Sequence, residues 1–186
     1  MRRGYKCLAA ALAVILLLAA SRVLYVEEQG NFHAITAGEA YRSAQLDRGE
    51  LEYYIRKYGI RSIINLRGEH PDKSWYRDEI EISTELGVMH YDFPLSASNE
   101  PGPDMVRKLI ATFRNAPRPV LIHCMGGADR SGLAAAIWKV VIDNEPKAKA
   151  EEQLSILYGH LPVGKTTAMD RFFRKWAGDQ GLSRNP

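Results

Sequence analysis

Three short apolar runs rich in β-branched residues constrain this chain more than any other feature: "IRSIINL" at 60–66, "VMHYDFPL" at 88–95 and "RPVLIHC" at 118–124. A stretch with helical spacing follows each one. Strands alternating with helices close compactly as right-handed βαβ units, which predicts an α/β fold with a central, mostly parallel sheet flanked by helices. Asp47 is placed to cap a helix whose Leu51, Tyr54, Ile55 and Tyr58 share one face, with Gly59 as its stop. Asp72 is expected to open a second helix through Trp75, Ile80 and Leu86, closed by Gly87. "SASNEPGPD" at 96–104 reads as a loop, and a third helix is expected from Pro103 to Asn115, with proline in its first turn. "SGLAAAIWKVVID" at 131–143 is the fourth. Upstream, "FHAIT" and "AYRSAQ" are short extended pieces on either side of Gly38. Two further helical stretches are expected near 147–158 and 166–177.

Ligands of such sheets bind beyond the carboxyl ends of the strands. One strand ends in "HCMGGADRSG", residues 123–132. The chain has 2 cysteines, Cys7 near the start and Cys124 in this loop, too few for a disulfide framework. An apolar strand, a glycine-rich loop and a small-residue helix together make an anion cup. Successive backbone N–H groups form a nest, and the helix adds its positive end. Residues Met125, Gly126, Gly127, Ala128, Asp129, Arg130 and Ser131 are the expected phosphate-binding set. Gly126 and Gly127 are expected to adopt backbone conformations closed to other residues, and Arg130 supplies a planar fork for two phosphoryl oxygens. The same field favours ionisation of a thiol beside it, which makes Cys124 a candidate nucleophile and Ser131 a donor to its sulfur. His123 reads either as an orienting group or as an ordinary strand-end histidine. The chemistry so assembled is in-line attack of a thiolate on phosphorus, then hydrolysis of a phosphocysteine. It calls for no metal or other cofactor, and His33, His90 and His160 lack metal-ligand spacing.

"HCMGGADRSG" matches the HC-x5-R-(S/T)-G signature and, with "AYRSAQL" and "GIRSIINLRGE" upstream, resembles the cysteine-dependent protein tyrosine and dual-specificity phosphatases. The similarity is to compact bacterial members akin to the atypical dual-specificity type, and it covers roughly residues 31–143. It implies Cys124 as nucleophile, Arg130 as phosphate ligand, and an aspartate as proton donor to the leaving oxygen. Asp92, Glu100, Asp104 and Asp129 are the candidates. Glu100 lies in a loop and Asp104 in the first turn of a helix. Asp92 stands at a strand's carboxyl end without the Trp-Pro-Asp surroundings of the family. Asp129 resembles loop aspartates in phosphatases whose signature reads Gly-x-Asp-Arg, and is preferred over Asp92. The resemblance implies a phosphorylated protein or a small phosphoester as substrate. A lipid or inositol phosphoester, or a catalytically idle phospho-binding module, is the alternative.

The N-terminus, "MRRGYKCLAAALAVILLLAASR", has a basic start, 14 apolar residues from Cys7 to Ala20 and small residues at 19–21. It reads as a signal peptide or an uncleaved membrane anchor over residues 1–26, with a phosphatase domain over 27–186. Either reading exports the domain to a periplasmic or extracytoplasmic space. Setting aside Arg2, Arg3, Lys6 and Arg22 turns the formal net charge of +3 into −1, so the body carries no net basic footprint for nucleic acid. "GHLPVGKT" at 159–166 fits the Walker A pattern, but "KAKAEEQLSILY" before it is no buried strand, and it reads as a helix–helix connector. Arg42 and Arg67 serve either to steer an anion or in structural pairing. "RFFRKW" at 171–176 reads as a terminal helix packing Phe172, Phe173 and Trp176 inward.

Overall fold

The computed structural model describes residues 30–176, together with Val14. The expected signal or anchor segment lies outside the described residues. Among the described residues, no helix is long and apolar enough to cross a membrane.

Among the described residues, five strands form one sheet: β1 (His33–Thr36), β2 (Ala40–Ser43), β3 (Ser62–Asn65), β4 (Met89–Asp92) and β5 (Val120–His123). Their spatial order is β1-β2-β5-β3-β4. Only β1 runs antiparallel, as the hairpin partner of β2, and the other four strands are parallel. The register aligns Ser43, His123, Asn65 and Asp92 as one row along the carboxyl edge.

Successive strand residues point to opposite faces, so each central strand feeds two cores. Ile64, Val120 and Ile122 pack with α3 (Pro103–Asn115), α4 (Asp129–Val141) and α6 (Thr167–Lys175). Ile63 and Leu121 face α1 (Arg48–Tyr58) and α2 (Ser74–Glu85), through Leu51, Tyr54, Ile55 and Ile82. Helix α4 is buried without a break from Ser131 to Trp138, which is why its sequence is small and apolar all round rather than amphipathic. Trp138 lies edge-on to Phe113, with ring centroids 5.2 Å apart, and donates its indole N–H to Thr36 Oγ1 at 3.2 Å.

Helix α1 begins and ends where its sequence says. Asp47 and Glu50 form a reciprocal capping box, and Gly59 closes the helix at φ 62°, an arrangement that stabilises a helix by about 1 kcal/mol at the cap. Helix α3 starts at Pro103 as expected. Helix α2 does not start at Asp72. Its N-cap is Lys73, with no side-chain hydrogen bond, and the Asp72 carboxylate pairs with Lys73 rather than with the helix's first N–H groups. The stretch expected to be helical over 147–158 is broken into α5 (Lys147–Ala150) and two 3-10 turns, Glu151–Gln153 and Ile156–Tyr158. Its backbone folds over the loop after β5, and that packing overrides helical spacing. Phe173 is buried, while Phe172 and Trp176 pack half-buried against the core.

Candidate active site

Residues 124–128 connect β5 to α4 at the carboxyl edge of the sheet, and Asp129 is the first residue of that helix. Cys124 is buried, with 2% of its surface exposed, and its Sγ lies 3.5 Å from Ser131 Oγ. Four consecutive carbonyls of the loop are held on one side. The Met125 carbonyl accepts from the Gln45 N–H at 3.1 Å, and that of Gly126 from Asn31 Nδ2 at 3.0 Å. Those of Gly127 and Ala128 both accept from one nitrogen of Arg42, at 3.0 and 2.9 Å. A trans peptide plane sets N–H opposite C=O. Holding these carbonyls against β2 and its flanks therefore turns the N–H groups of Gly126, Gly127, Ala128 and Asp129 the other way, as an anion nest requires.

Arg42 is the main support of this geometry. It is fully buried, and its second terminal nitrogen donates to the backbone and side-chain oxygens of Gln153 at 2.8 and 3.2 Å. Its guanidinium lies 4.6 Å from the centre of the Tyr158 ring. Burial pulls its pKa down to about 10, opposed by the nearby Cys124, Tyr158 and Asp129. It remains a cation at neutral pH. Of the two roles open to Arg42, burial leaves the structural one. Asn31, at φ 49°, ties the same loop to the Tyr158 carbonyl at 3.0 Å.

The two glycines differ. Gly127 sits at φ 67°, and a Cβ there would come within 2.5 Å of Ala44 N and 2.7 Å of Ser43 C. Gly126 is not in the left-handed region, and a Cβ on it would meet nothing within 4 Å. The expectation that both glycines need special backbone conformations is thus corrected to Gly127 alone. The close approach of the loop to the end of β2 causes the difference.

Arg130 reaches from α4 toward the carbonyls of Leu66 and Leu95, at the long distances of 3.5 and 3.4 Å. Its Nε is buried with no hydrogen-bond partner among the described residues. Buried N–H groups are almost always paired, so this guanidinium is held in place yet keeps donor capacity for an anion. Arg67 lies nearby, stacked 3.6 Å from the centre of the Trp75 ring and donating to Gln45 Oε1 at 3.1 Å. Burial and the proximity of Arg130 both lower its pKa.

The four candidate proton donors fall in different surroundings. Asp104 pairs with Arg107 on the exposed side of α3, and Glu100 with Arg171 and Lys175 of α6. Asp92 ends β4, two strands from β5 in the row at the carboxyl edge, which puts it roughly 10 Å from His123 along the sheet. Both its oxygens are taken, Oδ1 by Asn65 at 2.8 Å and Oδ2 by the Tyr76 hydroxyl at 2.7 Å. Asp129 lies within the loop-to-helix junction itself. Its Oδ1 meets His160 Nδ1 at 2.7 Å, and no hydrogen bond reaches its Oδ2 among the described residues.

Two groups beneath the site escaped sequence reasoning. Glu79, on α2, is buried, and one of its oxygens meets His90 Nε2 at 2.7 Å and His123 Nε2 at 3.1 Å. Its other oxygen accepts from Gln45 at 2.9 Å. Burial pushes the Glu79 pKa up, but His123, His90 and Gln45 together outweigh it and hold the carboxyl below its usual range. His160 is the second group, fully buried between Asp129 and Asp170. Its hydrogen bond with Asp129 raises its pKa; burial opposes this, and Asp170 adds to the rise. A mid-helix glutamate and a histidine inside a Walker-like stretch carry no local signal of either role.

A family model described as "DSP-PTPase phosphatase fused to NAD+ Kinase" matches residues 25–171. No curated protein matches the sequence. Among solved structures, P. aeruginosa TpbA is similar with a TM-score of 0.61 at 22% identity, over 82% of this chain and 88% of that one. The core catalytic domain of the PP-IP phosphatase SIW14 from S. cerevisiae gives 0.66 at 19% identity, over 83% and 89% of the two chains. A putative phosphatase from Shewanella putrefaciens gives 0.63 at 18% identity, over 81% and 92%. At these identities the likeness is one of fold. The family model spans most of the chain, signature loop included, and the chain therefore belongs to this DSP-PTPase phosphatase family.

Proposed function

We propose that this protein hydrolyses phosphate monoesters, phosphotyrosine or dual-specificity protein substrates foremost, through a phosphocysteine intermediate. One observation carries the reading: the carbonyls of residues 125–128 accept from Gln45, Asn31 and Arg42, which turns the successive N–H groups of the loop after a buried Cys124 to the opposite side. Donors fixed in advance toward developing charge supply much of the rate enhancement in enzymes that use them. In this reading Cys124 attacks phosphorus, the loop N–H groups and Arg130 hold the equatorial oxygens, and Asp129 protonates the leaving oxygen. Ser131, 3.5 Å from the sulfur, donates to the thiolate as it departs in the second step. Purified protein is expected to turn over p-nitrophenyl phosphate, and Cys124→Ser to lose that activity. No turnover by the wild type would refute the proposal.

A second reading, a small and highly charged phosphoester as substrate, is favoured by Arg67. This side chain adds a second guanidinium close enough to Arg130 to depress its own pKa. Comparing a phosphotyrosine peptide, a phosphoserine peptide and an inositol polyphosphate separates the two. A kcat/KM at least about tenfold higher for the inositol polyphosphate would favour the second. From its N-terminal sequence we also assign the protein to an extracytoplasmic space.

A further inference from the structure

We propose that His160, held by Asp170, is a positioning residue that aims the Asp129 carboxyl at the leaving oxygen and stabilises the carboxylate left after proton donation. The inference rests on the phosphatase reading above and deepens it.

The stretch that mimics a nucleotide-binding loop serves here as a strap. Gly159 turns the chain at φ 81°, and the His160 N–H donates to the Ser155 carbonyl at 3.1 Å. Thr166 Oγ1 closes the strap onto the carbonyls of Leu161 and Val163, at 2.7 and 2.9 Å. The strap carries a fully buried imidazole to the start of α4. There Nδ1 lies 2.7 Å from Asp129 Oδ1 and Nε2 lies 3.0 Å from Asp170 Oδ2. Only the doubly protonated ring donates to two carboxyl groups at once, and the Asp129 Oδ1 accepts whether or not Oδ2 carries a proton. Arg42, beneath the loop, is also close enough to Asp129 to respond to its charge.

Stability alone does not call for this arrangement. A carboxylate in the first turn of a helix is already favoured by the helix end, and buried ion triads are commonly no more stable than apolar replacements. What the histidine adds is direction. By occupying Oδ1 it leaves Oδ2 as the functional oxygen. Asp129 enters the first step as the acid, with its proton on Oδ2 beside the bound phosphate dianion and Oδ1 still accepting from His160. The Cys124 sulfur forms its bond to phosphorus as the P–O bond breaks, and the Oδ2 proton passes to the leaving oxygen. The resulting carboxylate stays bonded to the His160 N–H. In the second step water attacks phosphorus and yields its proton to Oδ2 as the S–P bond breaks, restoring the thiolate and releasing phosphate.

The test compares the wild type with His160→Gln, Asp170→Asn and Asp129→Asn on an alkyl phosphate and on p-nitrophenyl phosphate, whose leaving group needs no proton. His160→Gln is expected to lower kcat on the alkyl ester about 10- to 100-fold, part of the range of general acid catalysis. KM should change little, and p-nitrophenyl phosphate turnover less than about threefold. Asp170→Asn should show the same pattern more weakly, and it serves alone if His160→Gln does not fold. Adding His160→Gln to Asp129→Asn should cost nothing further, and 15N spectra should show His160 doubly protonated at neutral pH. Equal losses on both substrates, independent losses in the double variant or a neutral His160 would overturn this proposal while leaving the phosphatase reading intact. No turnover by the wild type on either substrate would instead overturn that reading, and this proposal with it.

Discussion

Replacing Gly127 with alanine should damage this protein, while the same change one residue earlier should not. At Gly127 the alanine would have to hold φ near 67°, which costs about 1–2 kcal/mol for an L-residue. Its Cβ would also stand 2.5 Å from Ala44 N and 2.7 Å from Ser43 C. Both are backbone atoms at the end of β2 and cannot rotate away. Restoring an ordinary contact of 3.4 Å requires the loop and strand to part by nearly 1 Å, an overpacking cost of about 1–3 kcal/mol. Together these amount to about 2–5 kcal/mol, against a total of about 5–15 kcal/mol for a typical domain. A displacement near 1 Å also costs about 100-fold in rate when it moves groups that position a substrate. Gly126→Ala meets no atom within 4 Å and needs no left-handed φ, so its stability should stay within about 1 kcal/mol of the wild type. Urea midpoints and p-nitrophenyl phosphate kinetics on the two variants, side by side, decide the matter. If Gly127→Ala matches Gly126→Ala in both, the loop is not seated against β2 as described.

Arg42→Met removes the donors to Gly127, Ala128 and Gln153, and should cost about 2–4 kcal/mol by leaving the Gly127 and Gln153 carbonyls unpaired, while that of Ala128 keeps the Gly132 N–H. It should also weaken inhibition by phosphate; unchanged inhibition would remove Arg42 from the support of the cup. Glu79 has a folded-state pKa below its ordinary value of 4.5, so its stabilising effect is present above that pH and is lost as pH falls toward the folded value. The gap in urea midpoint between wild type and Glu79→Gln should therefore narrow from pH 7 to pH 3, and a constant gap would contradict the buried pairing with His123 and His90. Asn31→Gly keeps the left-handed turn but loses the bonds to Gly126 and Tyr158, and should cost about 1–2 kcal/mol by thermal melt. Protease accessibility in intact cells should show the domain outside the cytoplasm, and protection there would overturn the assignment to an extracytoplasmic space.

Sequence alone determined the parts of this protein that contiguous residues encode. Apolar residues that alternate faces, as Ile63 and Ile64 do, mark strands buried on both sides, and Asp47, Gly59 and Pro103 mark helix ends through their own backbone chemistry. The loop from Cys124 to Ser131 is legible for the same reason, since its glycines, arginine and flanking strand and helix lie within one short stretch. The broken segment after α4 was not legible, because its Gln153 and Tyr158 carbonyls accept from Arg42 and Asn31, and those distant partners prevail over local helical preference. Tertiary structure decided what surrounds the cup. Asn31, Arg42, Glu79 and His160 meet it across 31 to 95 residues of chain, and no periodicity links positions so far apart. Parallel pairing brings the ends of β2, β3, β4 and β5 into one row. That row lets donors at Asn31, Arg42 and Gln45 turn the carbonyls of a loop much further along the chain, and so decides which way its N–H groups face.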